Sequence, residues 1–257
     1  MVLVIDIGNT DIVLGVYKNS DWIETFRTRT HQPWSAKKVE DWVAKGWAER
    51  GYEMPKKVIL SSVVPGILPQ VQKGIENWLG TKIIILGNDN FRRLPIQLIA
   101  QDEIGTDLVA NAVYGYLRYK SNVLVVDFGT ALTFTLVNEK GEIEGVSIAP
   151  GLKTAVKSLF SQTAQLPEVP LEMPELVLGT DTVSAIQSGI LWGYVGMVKE
   201  MIFRVKEVKG QNLKVIATGG LSSILTPLQE YFDEVNMNIT IEGLRLIVEH
   251  LSNESSE

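Results

Sequence analysis

Val2-Leu-Val-Ile-Asp6-Ile-Gly8-Asn9-Thr10 decides how this chain is read, because a near copy, Val123-Leu-Val-Val-Asp127-Phe-Gly129-Thr130-Ala131, returns in the middle. A repeat of this kind points to duplicated halves. In each copy four apolar residues make a short buried strand, an Asp stands at its end, and a Gly opens a tight turn lined by small hydroxyl or amide residues. Glycine lets the backbone approach an anion, successive N–H groups can point into the concavity, and Asp6 or Asp127 can hold a cation that neutralises phosphates. One Asp-x-Gly is ordinary strand-to-turn punctuation. Two copies read as a phosphate-gripping loop drawn twice, and two such loops facing each other would clamp one nucleotide. A second β-like stretch follows each, Asp11 to Tyr17 and Leu132 to Val137, so a hairpin is expected at both, the second turning at Asn138-Glu-Lys-Gly141.

Composition narrows the chemistry. A chain of 257 residues with 45% hydrophobic and 21% charged residues has room for a large core or two small lobes. Its net charge of −6, with scattered basic residues, argues against a nucleic-acid surface. There are no cysteines, and His31 and His250 are the only histidines, which excludes disulfides, thiolate nucleophiles and cysteine-ligated zinc and disfavours a histidine metal cage or a Ser-His-Asp relay. Carboxylates must therefore carry any acid–base chemistry. The opening residues enter a core strand at once, without a basic segment, long apolar run or cleavage site, so a soluble cytoplasmic protein that does not engage membranes is expected.

Alternating strand and helix patterns favour an α/β architecture. Ser35 to Arg50, with Val39, Trp42, Val43 and Trp47 on one face, reads as an amphipathic helix; Lys57 to Ser62 as a strand ending in the turn Ser61-Ser62-Val-Val-Pro65-Gly66; Ile67 to Leu79 as a helix; Lys82 to Leu86 as a third central strand; and Leu94 to Glu103 as an extended linker. Gly105-Thr106-Asp107 then opens a helix with Val109, Ala112, Val113, Tyr116 and Leu117 on one stripe. Asp107 reads first as an N-cap, although a carboxylate fixed there beside a phosphate site can also accept a proton from a substrate hydroxyl. In the second half, Gly145-Val-Ser-Ile-Ala-Pro150-Gly151 ends a strand and opens a helix from Leu152 to about Thr163, a junction placed equally well to be a plain loop or to touch a ligand. Gly179-Thr180-Asp181-Thr182 opens a long helix to about Val205 whose Gly189, Gly193 and Gly196 signal close packing, within the subunit or between subunits. Lys214-Val-Ile-Ala-Thr218-Gly219-Gly220 is one more strand running into a small-residue turn, which in a nucleotide-binding protein would approach adenosine.

Taken together, the two Asp-x-Gly loops, Gly105-Thr106-Asp107, Pro150-Gly151, Gly179-Thr-Asp-Thr182 and Thr218-Gly-Gly220 resemble type III pantothenate kinases in order and spacing over essentially the whole chain. The resemblance implies a duplicated actin/hexokinase/Hsp70-like (ribonuclease H-like) α/β fold: an N-terminal lobe, residues 1–119, a C-terminal lobe, residues 120–257, and a nucleotide cleft between them. It also implies a homodimer, ATP with Mg2+, a monovalent cation (K+ or NH4+), and phosphorylation of pantothenate to 4′-phosphopantothenate, the first step of coenzyme A biosynthesis. Carried over by position, Asp6, Ile7, Gly8, Asn9, Thr10, Asp11, Ile12 and Val13 would bind ATP, with Asp6 holding the magnesium; Thr130 would contact nucleotide and Asp127 the monovalent cation. Asp107 would be the base, Gly105, Thr106, Asp107 and Leu108 would line the pantothenate site, and Thr182 would reach it from the partner subunit.

Three positions depart from the family pattern. The family has an Arg after the base, which by resemblance holds the pantothenate carboxylate, where this chain has Leu108; Leu98 stands where the family tends to carry Tyr, and Val146 where it has a second Gly. All lie on the acceptor side. Arg92, Arg93 or a residue of the second subunit is the expected substitute cation. The departures leave two other readings, a kinase for a different, less acidic small alcohol and a non-catalytic nucleotide-binding paralogue.

Overall fold

The computed structural model describes residues 1–162 and 169–254. In the first half the chain runs β1 (Val2–Ile7), β2 (Asp11–Lys18), β3 (Asp21–Arg29), α1 (Ala36–Arg50), β4 (Lys57–Ser62), α2 (Leu68–Leu79), β5 (Ile84–Ile85), α3 (Asn88–Phe91) and α4 (Thr106–Tyr119). The second half runs β6 (Val123–Phe128), β7 (Ala131–Val137), β8 (Ile143–Pro150), α5 (Leu152–Gln162), α6 (Thr182–Lys209), β9 (Lys214–Thr218), a short 3-10 turn, β10 (Glu234–Val235) and α7 (Ile239–Glu254).

The duplication suggested by the sequence is carried into topology. One five-stranded sheet has the order β3-β2-β1-β4-β5 and the other β8-β7-β6-β9-β10. In both, the strand carrying the Asp forms an antiparallel hairpin with its successor on one side and pairs in parallel with a later strand on the other, β4 in one case and β9 in the other. The apolar runs at the start of β1 and β6 are buried throughout, as parallel pairing between flanking layers requires. The first sheet packs Leu3, Ile5 and Leu60 against Val39, Val43 and Trp47 of α1 and Val71 and Ile75 of α2. Ser35 caps α1 by accepting from Lys38 N, and Gly51 ends it in the left-handed conformation. The second sheet buries Leu124, Val126 and Val215 against Leu191, Val195, Val198 and Ile202 of α6.

By contact the chain forms two units, Met1–Tyr114 together with α7, and Gly115–Asn238. The helix α7, which a cut at residue 119 assigns to the second lobe, returns to pack on β1, β2 and β4.

Other elements differ from the sequence reading. The segment Lys82 to Leu86 is no third central strand: only Ile84–Ile85 pairs, with Ile59 and Leu60 of β4, at the sheet edge. Leu94 to Glu103 is a series of bends and turns anchored by buried Ile96, not an extended linker. Asp107 is the second residue of α4 rather than its cap. The cap of α6 is Asp181, whose carboxylate accepts from Ser184 N at 3.0 Å and from Ser184 Oγ at 2.7 Å, holding its pKa below the ordinary carboxylate value. The expected end of α5 at Thr163 lies outside the described residues. No described helix is long and apolar enough to cross a membrane.

Candidate active site

In the first unit the site is built at the carboxyl ends of β1 and β4. Asp6 lies opposite Val13 on β2 and Ser61 on β4. The chain then turns sharply, Gly8 N donating to Asp11 O at 3.0 Å, with so little room that a Cβ at residue 8 would stand 3.3 Å from that oxygen. Two bonds from Thr30, at the end of β3, hold the loop's outside: its hydroxyl donates to Gly8 O at 2.6 Å and its N–H to Thr10 O at 2.9 Å. Asn9 and Thr10 are exposed, and Asp11 pairs with Arg29 at 3.4 Å. Ile7, Ile12 and Val13 turn their side chains into the core, at 0%, 1% and 8% exposure, so any ligand contact from them runs through backbone. Thr30→Val keeps the shape and removes the donor to a part-buried carbonyl. It is expected to cost about 1–3 kcal/mol of stability, measured by urea unfolding, and Thr30→Ser to recover most of it.

The start of α4 meets the end of β4 through Thr106, the residue before Asp107. Asp107 Oδ1 accepts from Leu108 N at 2.8 Å, and a Cβ on residue 105 would stand 2.5 Å from that oxygen. Gly105 is therefore needed for the carboxylate to fold back over the helix start. Asp107 is half-buried, and burial pushes its carboxyl above the ordinary range, only partly opposed by backbone N–H bonds. Thr106 Oγ1 lies 2.9 Å from Ser61 Oγ, and Ser61 Oγ donates to Asp6 Oδ1 at 3.1 Å. So Asp6, the glycine turn, Thr106 and Asp107 gather in one unit. Leu108, at 7% exposure, instead belongs to the core. Arg93, one expected substitute cation, donates to Leu251 O at 3.2 Å at the far end of α7, while Arg92 is exposed.

The second unit repeats the arrangement with different edges. Asp127 lies opposite Thr133 on β7 and Thr218 on β9. Gly219, at φ +89°, is pressed against the end of β6: an added Cβ would stand 2.6 Å from Phe128 O and 2.7 Å from Asp127 Oδ1. Thr130 O accepts from Gly151 N at 3.0 Å and from Thr154 Oγ1 at 2.8 Å, so the Pro150-Gly151 junction braces the second loop. Past the Thr-Gly-Gly turn, Leu221 and Ile224 line a hollow of about 680 Å³ with Lys153, Lys157, Phe160 and Leu171. Thr182, exposed at the start of α6, borders a separate apolar groove of about 420 Å³ with Leu159, Ile186 and Ile190.

The sequence model of type III pantothenate kinases matches residues 2–204. A curated type III pantothenate kinase of Geobacter sulfurreducens is 38% identical over 254 residues, covering 97% of this chain and 98% of that protein. The chain belongs to the type III pantothenate kinase family. Among solved structures, a protein assigned to the Baf family of transcriptional activators from Campylobacter jejuni superposes with a TM-score of 0.60 at 18% identity, covering 98% of this chain and 99% of that one. A protein assigned as a 2-dehydro-3-deoxygalactonokinase from Sinorhizobium meliloti gives 0.58 at 14% identity, covering 96% and 95%. At such identities these two likenesses speak to the fold, the two-lobed actin/hexokinase type.

Within this family member, Ser61 and Thr30 are the site residues that reading the sequence did not single out. Ser61 stood in a turn motif whose only local signal was small-residue content, and Thr30 closed a strand that had not been recognised. Nothing in linear spacing shows that either meets Asp6 or Gly8; register does.

Proposed function

We propose that this kinase phosphorylates pantothenate with Asp107 as the base and the Gly8–Thr10 turn as the seat of the ATP phosphates. The observation supporting this is that Ser61 and Thr106 join Asp6, at the carboxyl end of β1 beside that turn, to the helix start whose next residue is Asp107. The Asp107 carboxylate takes the proton of the acceptor hydroxyl as its oxygen bonds to the γ-phosphorus; the bond from that phosphorus to the β-phosphate oxygen breaks, ADP leaves with the electron pair, and the proton passes to water. Such transfers ask for alignment and charge neutralisation more than covalent help. Magnesium keeps several waters and shares phosphate oxygens with one or two carboxylates. Asp6 is the carboxylate proposed to hold it, and the ion would neutralise the phosphate oxygens. Asp127 is proposed to serve a monovalent cation, Thr130 to contact nucleotide, and the hollow beside Leu221 to receive adenosine.

A homodimer is supported by α6. Added Cβ atoms at Gly189, Gly193 and Gly196 would meet nothing within 4 Å, so these glycines serve no close packing among the described residues of this chain. Phe203 and Val208 on the same helix are exposed at 53% and 79%. In such a dimer Thr182 would reach the partner's acceptor site. Light scattering is expected to give twice the chain mass, and a monomer would remove Thr182 from the acceptor site.

The test is the reaction itself, with magnesium, potassium and ATP, following 4′-phosphopantothenate by mass. A second reading, a less acidic alcohol as acceptor, is favoured by Leu108 alone, since the family Arg is replaced by a core leucine. Pantothenol, which lacks the carboxylate, separates the two. Preference for pantothenate by tenfold or more in kcat/KM means another cation holds the carboxylate; equal use of both supports the apolar acceptor.

A further inference from the structure

We propose that Ser61 is a positioning residue of the phosphoryl-transfer site, tying the Asp6 carboxylate to the helix start that carries Asp107. The proposal rests on the site reading above. Ser61 has no exposed surface, so it meets neither solvent nor bulk ligand. It sits beside Asp6 in the parallel β1–β4 register, and its hydroxyl lies 3.1 Å from Asp6 Oδ1 and 2.9 Å from Thr106 Oγ1. Neighbouring Ser62 is otherwise engaged, its hydroxyl accepting from Val64 N at 3.1 Å in the turn that ends β4.

The directions of these bonds follow from donor counting. An ionised carboxylate only accepts, and a hydroxyl has one proton to give. Ser61 therefore donates to Asp6, which leaves its oxygen to accept, and Thr106 donates to Ser61 in preference to Ser62 O, which is farther away at 3.3 Å. The result is a one-way chain, Thr106 to Ser61 to Asp6, in which each bond polarises the next. It ties one Asp6 oxygen, Oδ1, to the start of α4. The far end of the chain holds the first residue of α4, one position from Asp107. Groups that orient a metal-binding carboxylate typically govern about 10–100-fold in metal affinity or activity.

Calorimetric titration with a non-hydrolysable ATP analogue, with and without Mg2+, gives a readout independent of turnover. For Ser61→Ala we expect metal-free nucleotide affinity to stay at the wild-type level, the gain conferred by Mg2+ to shrink by about 10-fold, and kcat to fall about 10–100-fold. Thr106→Val should give a smaller loss, and the double variant should be no worse than Ser61→Ala alone, because both act through one chain. Ser61→Cys, close in size but a weaker donor, should fall between wild type and alanine and serves as the probe if the alanine variant does not fold. A wild-type Mg2+ gain in Ser61→Ala, with or without a lowered melting temperature, overturns the proposal and leaves Ser61 a core filler. Asp6→Asn that keeps the full Mg2+ gain overturns instead the assignment of Asp6 on which the proposal rests.

Discussion

Asp107→Asn is expected to lower kcat by about 10²–10⁴-fold while making the folded protein more stable at neutral pH. The first effect follows from removing the proposed proton acceptor: an amide keeps the shape, and its carbonyl can still accept from Leu108 N, but it takes no proton at the acceptor hydroxyl. The second follows from burial, which raises the carboxyl's pKa in the folded state above its unfolded value. For a raised acid the ionised form is the one that folding disfavours. Stability is therefore lost as pH climbs from the unfolded pKa through the folded one, and the loss is complete above both. Asn carries no such cost, so the variant's advantage in urea unfolding should appear at neutral pH and vanish in acid. Wild-type kcat/KM should rise with pH along a limb lying above the usual carboxylate range, and the variant should lack that limb. Unchanged turnover in Asp107→Asn would leave the residue only an acceptor for Leu108 N at the α4 start.

The second large effect is expected at Gly219→Ala. A left-handed backbone costs an ordinary residue about 1–2 kcal/mol, and forcing a methyl into filled space about 1–3 kcal/mol, together about 2–5 kcal/mol. Here both apply, because φ is +89° and the new carbon would fall 2.6 Å from Phe128 O and 2.7 Å from Asp127 Oδ1. Relief requires the end of β6 to move, so the loss of stability should come with a weakening of the potassium or ammonium dependence that the proposed role of Asp127 implies. Gly220→Ala, where an added Cβ meets nothing within 4 Å, is the control and should stay within about 0.5 kcal/mol of wild type. If the two variants unfold alike, the turn is looser than this packing describes.

What the sequence disclosed was local chemistry. The apolar runs before Asp6 and Asp127 each contain a whole strand, and a hairpin needs only its own residues, so the repeated half-folds were legible. Lys82 to Leu86 was apolar enough to pass for a central strand, yet a strand's place in a sheet depends on neighbours that its own residues do not specify, and it is a two-residue edge. The α6 glycines suggested close packing, but they face away from this chain's described core, and the direction a helix face points is set by the whole fold. Asp107 carried its own Gly-x-Asp signal. Ser61 and Thr30 had none, because a lone serine or threonine becomes part of a site only through the strand pairing that brings it there.

The return of α7 to the first sheet has a consequence for synthesis. Residues 115–238 are contiguous and can complete their contacts among themselves, whereas β1, made before them, waits for a helix that begins at Ile239 to cover it. The half translated first is thus the half finished last. In the interval the apolar face that β1, β2 and β4 later bury beneath α7 is open to other chains and to chaperones, so stalled or shortened translation products should be the species that aggregate.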